Sequence, residues 1–179
     1  MMRTQPVLAC PAPARTPPGD VVEIRPARPG DEEAIRRFLT GLSARTRHLR
    51  FLVDVGVPSA SMVRALLAVD ERRDALLAVT GETVVGHAMG VRGAGVAGAA
   101  AEIEIAVVVA DEWQGRGLGS RLVRRLLRRA SVNGVGTVTM DVLGENRRVL
   151  AMVRRLWPEA AMRVSCGVVE VAAPVEPRS

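Results

Sequence analysis

The chain has 179 residues with 48% hydrophobic and 25% charged positions, enough for one domain with a proper core and no need of disulfides or metals. No apolar run approaches the roughly 20 residues that would cross a bilayer, so no membrane role is expected. The formal net charge of +6 favours an acidic partner or ligand. Nucleic acid is disfavoured because stacking side chains are scarce: two Phe, two Trp and no Tyr.

Residues 1–20, "MMRTQPVLACPAPARTPPGD", carry five of the eleven prolines without periodicity and read as a disordered tail. "VLAC" lacks the apolar stretch of a lipoprotein signal. "VVEIRP" reads as a strand, followed by a helix over "PGDEEAIRRFLTGL" that Asp31 is placed to cap. "SARTRHLRF" and "PSASMVRALLAVD" read as short helices capped by Ser43 and by Ser59 or Ser61.

"DALLAVT" and "TVVGHAMGV" flank Gly81-Glu82 as an antiparallel hairpin, and 92–100 read as a flexible loop. "AEIEIAVVV" is a strand whose alternation puts Glu102, Glu104, Ala106 and Val108 on one face. A glycine-rich loop then opens a helix with Leu118, Leu122, Val123, Leu126 and Leu127 on one side. Arg121, Arg124, Arg125, Arg128 and Arg129 occupy the opposite, solvated side. "GTVTMDVL" is a strand, "ENRRVLAMVRRLW" a helix stopped by Pro158, and "AMRVSCGVVEVAA" a hairpin turning near Cys166-Gly167. The order implies an α/β (α+β) fold, a mixed central sheet with helices on both faces. One domain over 21–173 and a short tail over 174–179 are expected.

In "WQGRGLGS" the free amides of a helix N-terminus and the positive end of its dipole converge, which suits an anion such as a pyrophosphate. Glycines allow close approach, and Arg116 adds a charge-assisted contact. Gly115, Gly117 and Gly119 are spaced two and two, unlike a dinucleotide fingerprint. All 25 basic residues are Arg, so the Lys of a P-loop is absent.

"VVVADEWQGRGLGSRL" resembles the coenzyme A loop of the GNAT acetyltransferases, Q/R-x-x-G-x-G/A, with Gln114, Gly117 and Gly119 as its signature positions. The resemblance covers roughly residues 21–170 in element order and includes Asn146 at the start of the penultimate helix. "LRF", "AVDERRDALLAV", "VVGHA" and "VLGENRRVL" are further similar to bacterial protein-lysine acetyltransferases that modify acyl-CoA synthetases. Members of that group often carry a cyclic-nucleotide-binding or synthetase-like domain; the single-domain reading expects neither here.

The resemblance implies acetyl-CoA as co-substrate, with no metal. It implies that the backbone of Val107, Val108 and Val109 pairs with the pantetheine arm, and that an N–H near Val107 polarises the thioester carbonyl. It also implies that the amides of Gly115, Arg116, Gly117, Leu118, Gly119 and Ser120 take the pyrophosphate and that Asn146 braces the cofactor. Only about one lysine in a thousand is neutral near pH 7, so a base has leverage. Glu104, ten residues before Gln114, matches the catalytic Glu of the lysine-acetylating group, and Glu102 is the second candidate. The apolar run after Glu104 places it near the sheet interior.

Many family members protonate the thiolate with a late Tyr, whereas this chain has none and carries Trp157-Pro158 where the family usually has Gly-Phe. Water protonation and departure of CoA as an anion both stay open. His48 and His87 read as core or surface residues, and Cys166 as a buried inert thiol. With Cys10 it forms no metal or disulfide pattern, which fits a reducing cytoplasm. The implied function is acetyl transfer to an amine, foremost a protein lysine on a partner such as an acyl-CoA synthetase. A small-amine acetyltransferase and an acyl-CoA-binding regulator without catalysis are the alternatives. Oligomeric state is left open.

Overall fold

The computed structural model describes residues 21–52, 56, 58–93 and 101–176. The stretch read as a Pro-rich tail (1–20) and most of the one read as a flexible loop (94–100 of 92–100) lie outside the described residues, as do 177–179.

Seven strands form one sheet: β1 (Glu23–Pro26), β2 (Arg73–Thr80), β3 (Thr83–Arg92), β4 (Ala101–Val109), β5 (Val135–Leu143), β6 (Ala161–Ser165) and β7 (Val168–Pro174). Their order across the sheet is β1-β2-β3-β4-β5-β7-β6. All neighbours run antiparallel except β4 and β5, which are parallel and joined through a helix. The expected α/β (α+β) arrangement, a mixed sheet with helices on both faces, is therefore present.

Each face packs on its own helices. On one side lie α4 (Leu118–Val132) and α5 (Arg147–Leu156). α4 buries Leu118, Leu122, Val123, Leu126, Leu127 and Ala130, the apolar stripe expected from its spacing, and leaves its arginines exposed. α5 buries Leu150, Met152, Val153 and Leu156. On the other side α1 (Glu32–Gly41) contributes Ile35, Phe38 and Leu39, and α3 (Ala60–Leu67) contributes Val63 and Leu66.

The short α2 (Ala44–Phe51) buries no side chain completely and is held mainly by its ends. Ser43 caps it, accepting from the Thr46 N–H at 3.1 Å. The Asp111 carboxylate, 68 residues on, accepts from the Ser43 N–H (2.9 Å), the Ser43 hydroxyl (2.8 Å) and the Thr46 hydroxyl (2.6 Å). Burial alone would raise the Asp111 pKa, yet the hydrogen bonds from Ser43 and Thr46 hold it below the ordinary carboxylate value.

Three sequence expectations change. Asp31 stands at the N-cap position of α1 but makes no side-chain cap bond; its carboxylate clamps Arg25 at 2.7 and 2.8 Å and takes the Arg28 N–H at 2.8 Å. A bidentate charged partner outcompetes a helix amide for the same oxygens. Cys166 is exposed, because it sits in the β6–β7 turn at φ +48. The strand β7 runs into the stretch read as a tail: Pro174 pairs with Thr137, and Val175 is buried with its N–H on Gly136. Trp157 lies in the core at 3% exposure and donates its indole N–H to the Pro174 carbonyl at 2.9 Å.

Two stability predictions follow from these contacts. Trp157→Phe leaves the Pro174 carbonyl short of its donor and should cost about 1–3 kcal/mol in urea unfolding. Asp111→Asn should cost about 1 kcal/mol at neutral pH, discounted for the exposure of the carboxylate. Because the folded pKa is depressed, that difference is fully present above the unfolded value of about 3.9 and closes as pH falls through the lower folded one. Unfolding curves of both proteins across that window check it; a gap that persists in acid would assign the contact to shape and not to charge.

Candidate active site

The ladder between β4 and β5 is short. It pairs Ala101–Glu104 with Val135–Thr139 and has no further rung among the described residues, although both strands continue. β4 stays bonded to β3 as far as Val109, and β5 stays bonded to β7 as far as Leu143. The two strands therefore part like the arms of a V, each anchored on its outer side.

Strand alternation decides which main-chain groups face the opening. The Ala110 N–H bonds to Val85 and the Glu102 carbonyl takes the Gly93 N–H, so even-numbered residues of β4 turn their main chain to β3. Odd-numbered residues turn theirs the other way, into the gap. Val107 presents both its N–H and carbonyl there, and Val109 its N–H. The Val109 carbonyl already accepts from Gln114 Nε2 at 3.0 Å. Val108 faces β3 with its main chain and the α1–α3 core with its side chain, so of the three residues expected to offer backbone groups it offers none.

The gap is lined by Ile105, Ala106 and Val107 of β4, Met140, Asp141 and Val142 of β5, and by Val123, Asn146, Val149 and Met152 from α4, α5 and the junction before α5. Leu49 and Arg50 of α2 close one side. Asn146 is part of this lining, and its Oδ1 is engaged in capping α5, accepting from the Val149 N–H at 3.2 Å.

At the carboxyl end of β4 the chain makes a single 3₁₀ turn, Asp111–Trp113, and then the glycine loop. Gly115 (φ +76) and Gly117 (φ +77) both take the left-handed conformation that other residues avoid. Gly117 is the N-cap of α4, so the N–H groups of Leu118, Gly119 and Ser120 have no carbonyl within the helix to bond. Gly119 is helical and close to the gap: a Cβ there would stand 3.7 Å from Met152 Sδ and 3.8 Å from Val109 Cγ2. Arg116 lies over the Trp113 ring at 5.3 Å, and Arg155 of α5 donates to the Ser120 hydroxyl at 3.1 Å. The loop can receive an anion with converging amides and nearby guanidinium groups.

Gln114 is an organiser of this end. Besides Val109 it donates to the Thr46 hydroxyl at 3.2 Å and accepts from Arg148, so it ties β4, α2 and α5 together. Sequence reasoning did not find this network of Ser43, Thr46, Asp111 and Arg148. Ser43 and Thr46 are recognisable locally as a cap pair, but nothing in the sequence marks a partner 65 to 68 residues away.

Glu104 is in the last β4–β5 pair before the strands part, opposite Thr139. It is exposed, not interior as expected, because the α1–α3 layer covers its face of β4 only nearer Val108. Glu102 is exposed two residues earlier, where β4 and β5 are still paired. Partly buried Arg50 stands between Glu104 and His87 in charge: burial draws its pKa down to about 10, while Glu104 works to raise it. His87 is fully buried and bonds Leu66 O through Nε2 at 2.8 Å. Burial, then the Arg50 charge, push its pKa to about 4 despite that bond, so it is a neutral core residue at ordinary pH. His48 lies on α2, 3.7 Å from Glu145.

The family of acetyltransferases known as GNAT has a sequence model that matches residues 46–156, which takes in α2, the parted strands, the glycine loop and α5. An acetyltransferase of Pseudomonas aeruginosa is 34% identical over 117 residues, covering 65% of this chain and 63% of its own length. Acetyltransferase Pat of Mycolicibacterium smegmatis is 29% identical over 171 residues, 93% of this chain and 50% of its own. The chain thus spans about half to somewhat under two thirds of these relatives. The crystal structure of the GNAT domain of PAT from S. lividans superimposes with a TM-score of 0.77 at 25% identity, covering 86% of this chain and 90% of that domain. By the extent of the matching model and the geometry it spans, the chain belongs to the GNAT acetyltransferase family.

Proposed function

We propose that the chain is an N-acetyltransferase that moves an acetyl group from acetyl-CoA to an amine, foremost a lysine of a protein such as an acyl-CoA synthetase. One observation carries the reading: an unpaired run of β4 main chain leads directly into a glycine loop with free helical amides. A pantetheine arm is an extended chain with amide groups, so it suits a strand edge. A pyrophosphate suits the loop.

In this reading Val109 N–H and the Val107 carbonyl hold the pantetheine amides, while the Val107 N–H polarises the thioester carbonyl. The amides of Gly115, Arg116, Gly117, Leu118, Gly119 and Ser120 surround the pyrophosphate, with Arg116 and Arg155 adding charge. Gln114 and Asn146 act by fixing the frame, since their side chains are engaged with protein groups.

Glu104 takes a proton from the incoming ammonium group, directly or through a water, and the neutral amine attacks the thioester without a covalent acyl-enzyme. Its exposure at the mouth of the parted strands supports access by a side chain from another protein. Glu102 is the second candidate, further from the opening. The relatives named for Pat support the protein-lysine acceptor, and the name is theirs.

Two predictions test the reading. With acetyl-CoA and a purified acyl-CoA synthetase, wild type should release CoA thiol and leave acetyl-lysine detectable by mass spectrometry. Glu104→Gln should lower turnover about a hundredfold while acetyl-CoA binding persists. Unchanged turnover would remove Glu104 as the base; binding without acetylation by either protein would turn attention to small amines. Gly117→Val forces a β-branched residue into a positive-φ position and should weaken acetyl-CoA at least about tenfold in calorimetry. Equal affinity would exclude the loop as the pyrophosphate cradle.

A further inference from the structure

We infer that Arg50 supplies the counter-charge for the CoA thiolate as it leaves the thioester. The inference deepens the function proposed above and rests on it.

Cleaving a thioester puts negative charge on sulfur, and that charge must meet a proton or a cation. The usual side-chain acids are missing where they would be needed. The chain contains no Tyr and no Lys. Trp157 is buried with its N–H committed to the Pro174 carbonyl. His87 is fully buried with its ring bonded to the Leu66 carbonyl of α3, and it holds no second proton at neutral pH.

Arg50 is the one cation among the described residues lining the gap, whose walls there are otherwise mostly apolar. Its Nε is buried and has no hydrogen-bond partner among the described residues. A buried guanidinium N–H without an acceptor is costly, and such groups call for an explanation. The Phe51 ring lies against the guanidinium at 4.9 Å and limits where it can turn. The other charged and titratable groups around it are Glu104 of β4, His87 of β3 and Asp141 of β5; His48 of α2 is engaged with Glu145. With its pKa near 10, Arg50 remains protonated through the neutral range.

The charge count explains why one cation suffices. Glu104 first relays the ammonium proton to solvent and is a carboxylate again; as the neutral amine nitrogen bonds to the thioester carbon, the second proton it must lose passes to Glu104. The C–S bond then breaks with its electron pair going to sulfur. One negative charge disappears from Glu104 and one appears on the thiolate, and both face the same guanidinium. The thiolate leaves in that ion pair and takes its proton from solvent.

The test compares CoA with desulfo-CoA, which lacks only the sulfur, by calorimetry from roughly pH 6.5 to 9.5 on wild type, Arg50→Gln and Arg50→Lys. A cation beside the sulfur lowers the bound thiol's pKa, and each unit lowered makes CoA bind about tenfold more tightly above the free thiol's pKa. The wild-type ratio of CoA to desulfo-CoA affinity should therefore climb several-fold with pH. Arg50→Gln should flatten the climb and Arg50→Lys should keep part of it. A flat ratio in wild type, or a climb undiminished in Arg50→Gln, overturns the inference while leaving the proposed function standing. Failure of both ligands to bind wild type removes the proposed function itself. Should Arg50→Gln not fold, the wild-type ratio and Arg50→Lys decide.

Discussion

Everything in this molecule is arranged around the parting of β4 from β5 beyond the Glu104–Thr139 pair. A sheet gains by keeping its main-chain groups paired, and leaving a run of them free inside a protein costs stability at every group. The parting survives because each strand is held from outside, β4 by β3 and β5 by β7. The helices that link and follow the parallel pair, α4 and α5, fill the core beneath the opening with Val123, Met152 and their neighbours. The free groups of Val107 and Val109 thus lie on a rigid edge, where they can meet an extended ligand without first being uncovered.

The opening is also electrically polar along its length. At the glycine loop, Arg116, Arg148 and Arg155 gather around the N-terminus of α4, two of them through bonds to Gln114 and Ser120. Toward the other end Glu102, Glu104 and Asp141 are exposed. A ligand with phosphates at one end and a reaction with a cationic amine at the other matches that layout. The excess of arginine over the whole chain says little by itself; its placement by α5 beside the loop gives it a use.

Much of this was legible in the sequence because it is local. The alternation of "AEIEIAVVV" places Glu102, Glu104 and Ala106 on one face, and the two-by-two glycine spacing followed by a leucine stripe marks the loop and α4. Asn146 at the head of α5 was likewise visible. What the sequence hid is whatever depends on a distant partner. Asp31 looks like a helix cap until Arg25 claims both of its oxygens. Glu104 looks interior until the reach of the α1–α3 layer is known. Cys166 is a different case: its exposure follows from the local turn that the sequence already marks at Cys166-Gly167, which outweighs the general tendency of a free thiol to be buried. Arg50 shares in the family resemblance of "LRF", but nothing in "RTRHLRF" gives it a role that its other two arginines lack. Its distinction is only that α2 lies across the gap.

That position of α2 links the two ends of the site. The helix has no fully buried side chain, so besides the packing of Phe51 its placement rests on the hydrogen bonds of Ser43 and Thr46 to Asp111 and of Thr46 to Gln114. Asp111 and Gln114 belong to the turn that leads into the glycine loop. Thr46 and Arg50 are four residues apart, one helical turn, and so lie on the same side of α2. The contacts that shape the glycine loop are then the same ones that aim Arg50 into the gap. An anion settling on the loop would stiffen the turn, and through Thr46 it would stiffen the guanidinium at the thioester end. That shared anchorage gives the glycine loop and the gap a common support.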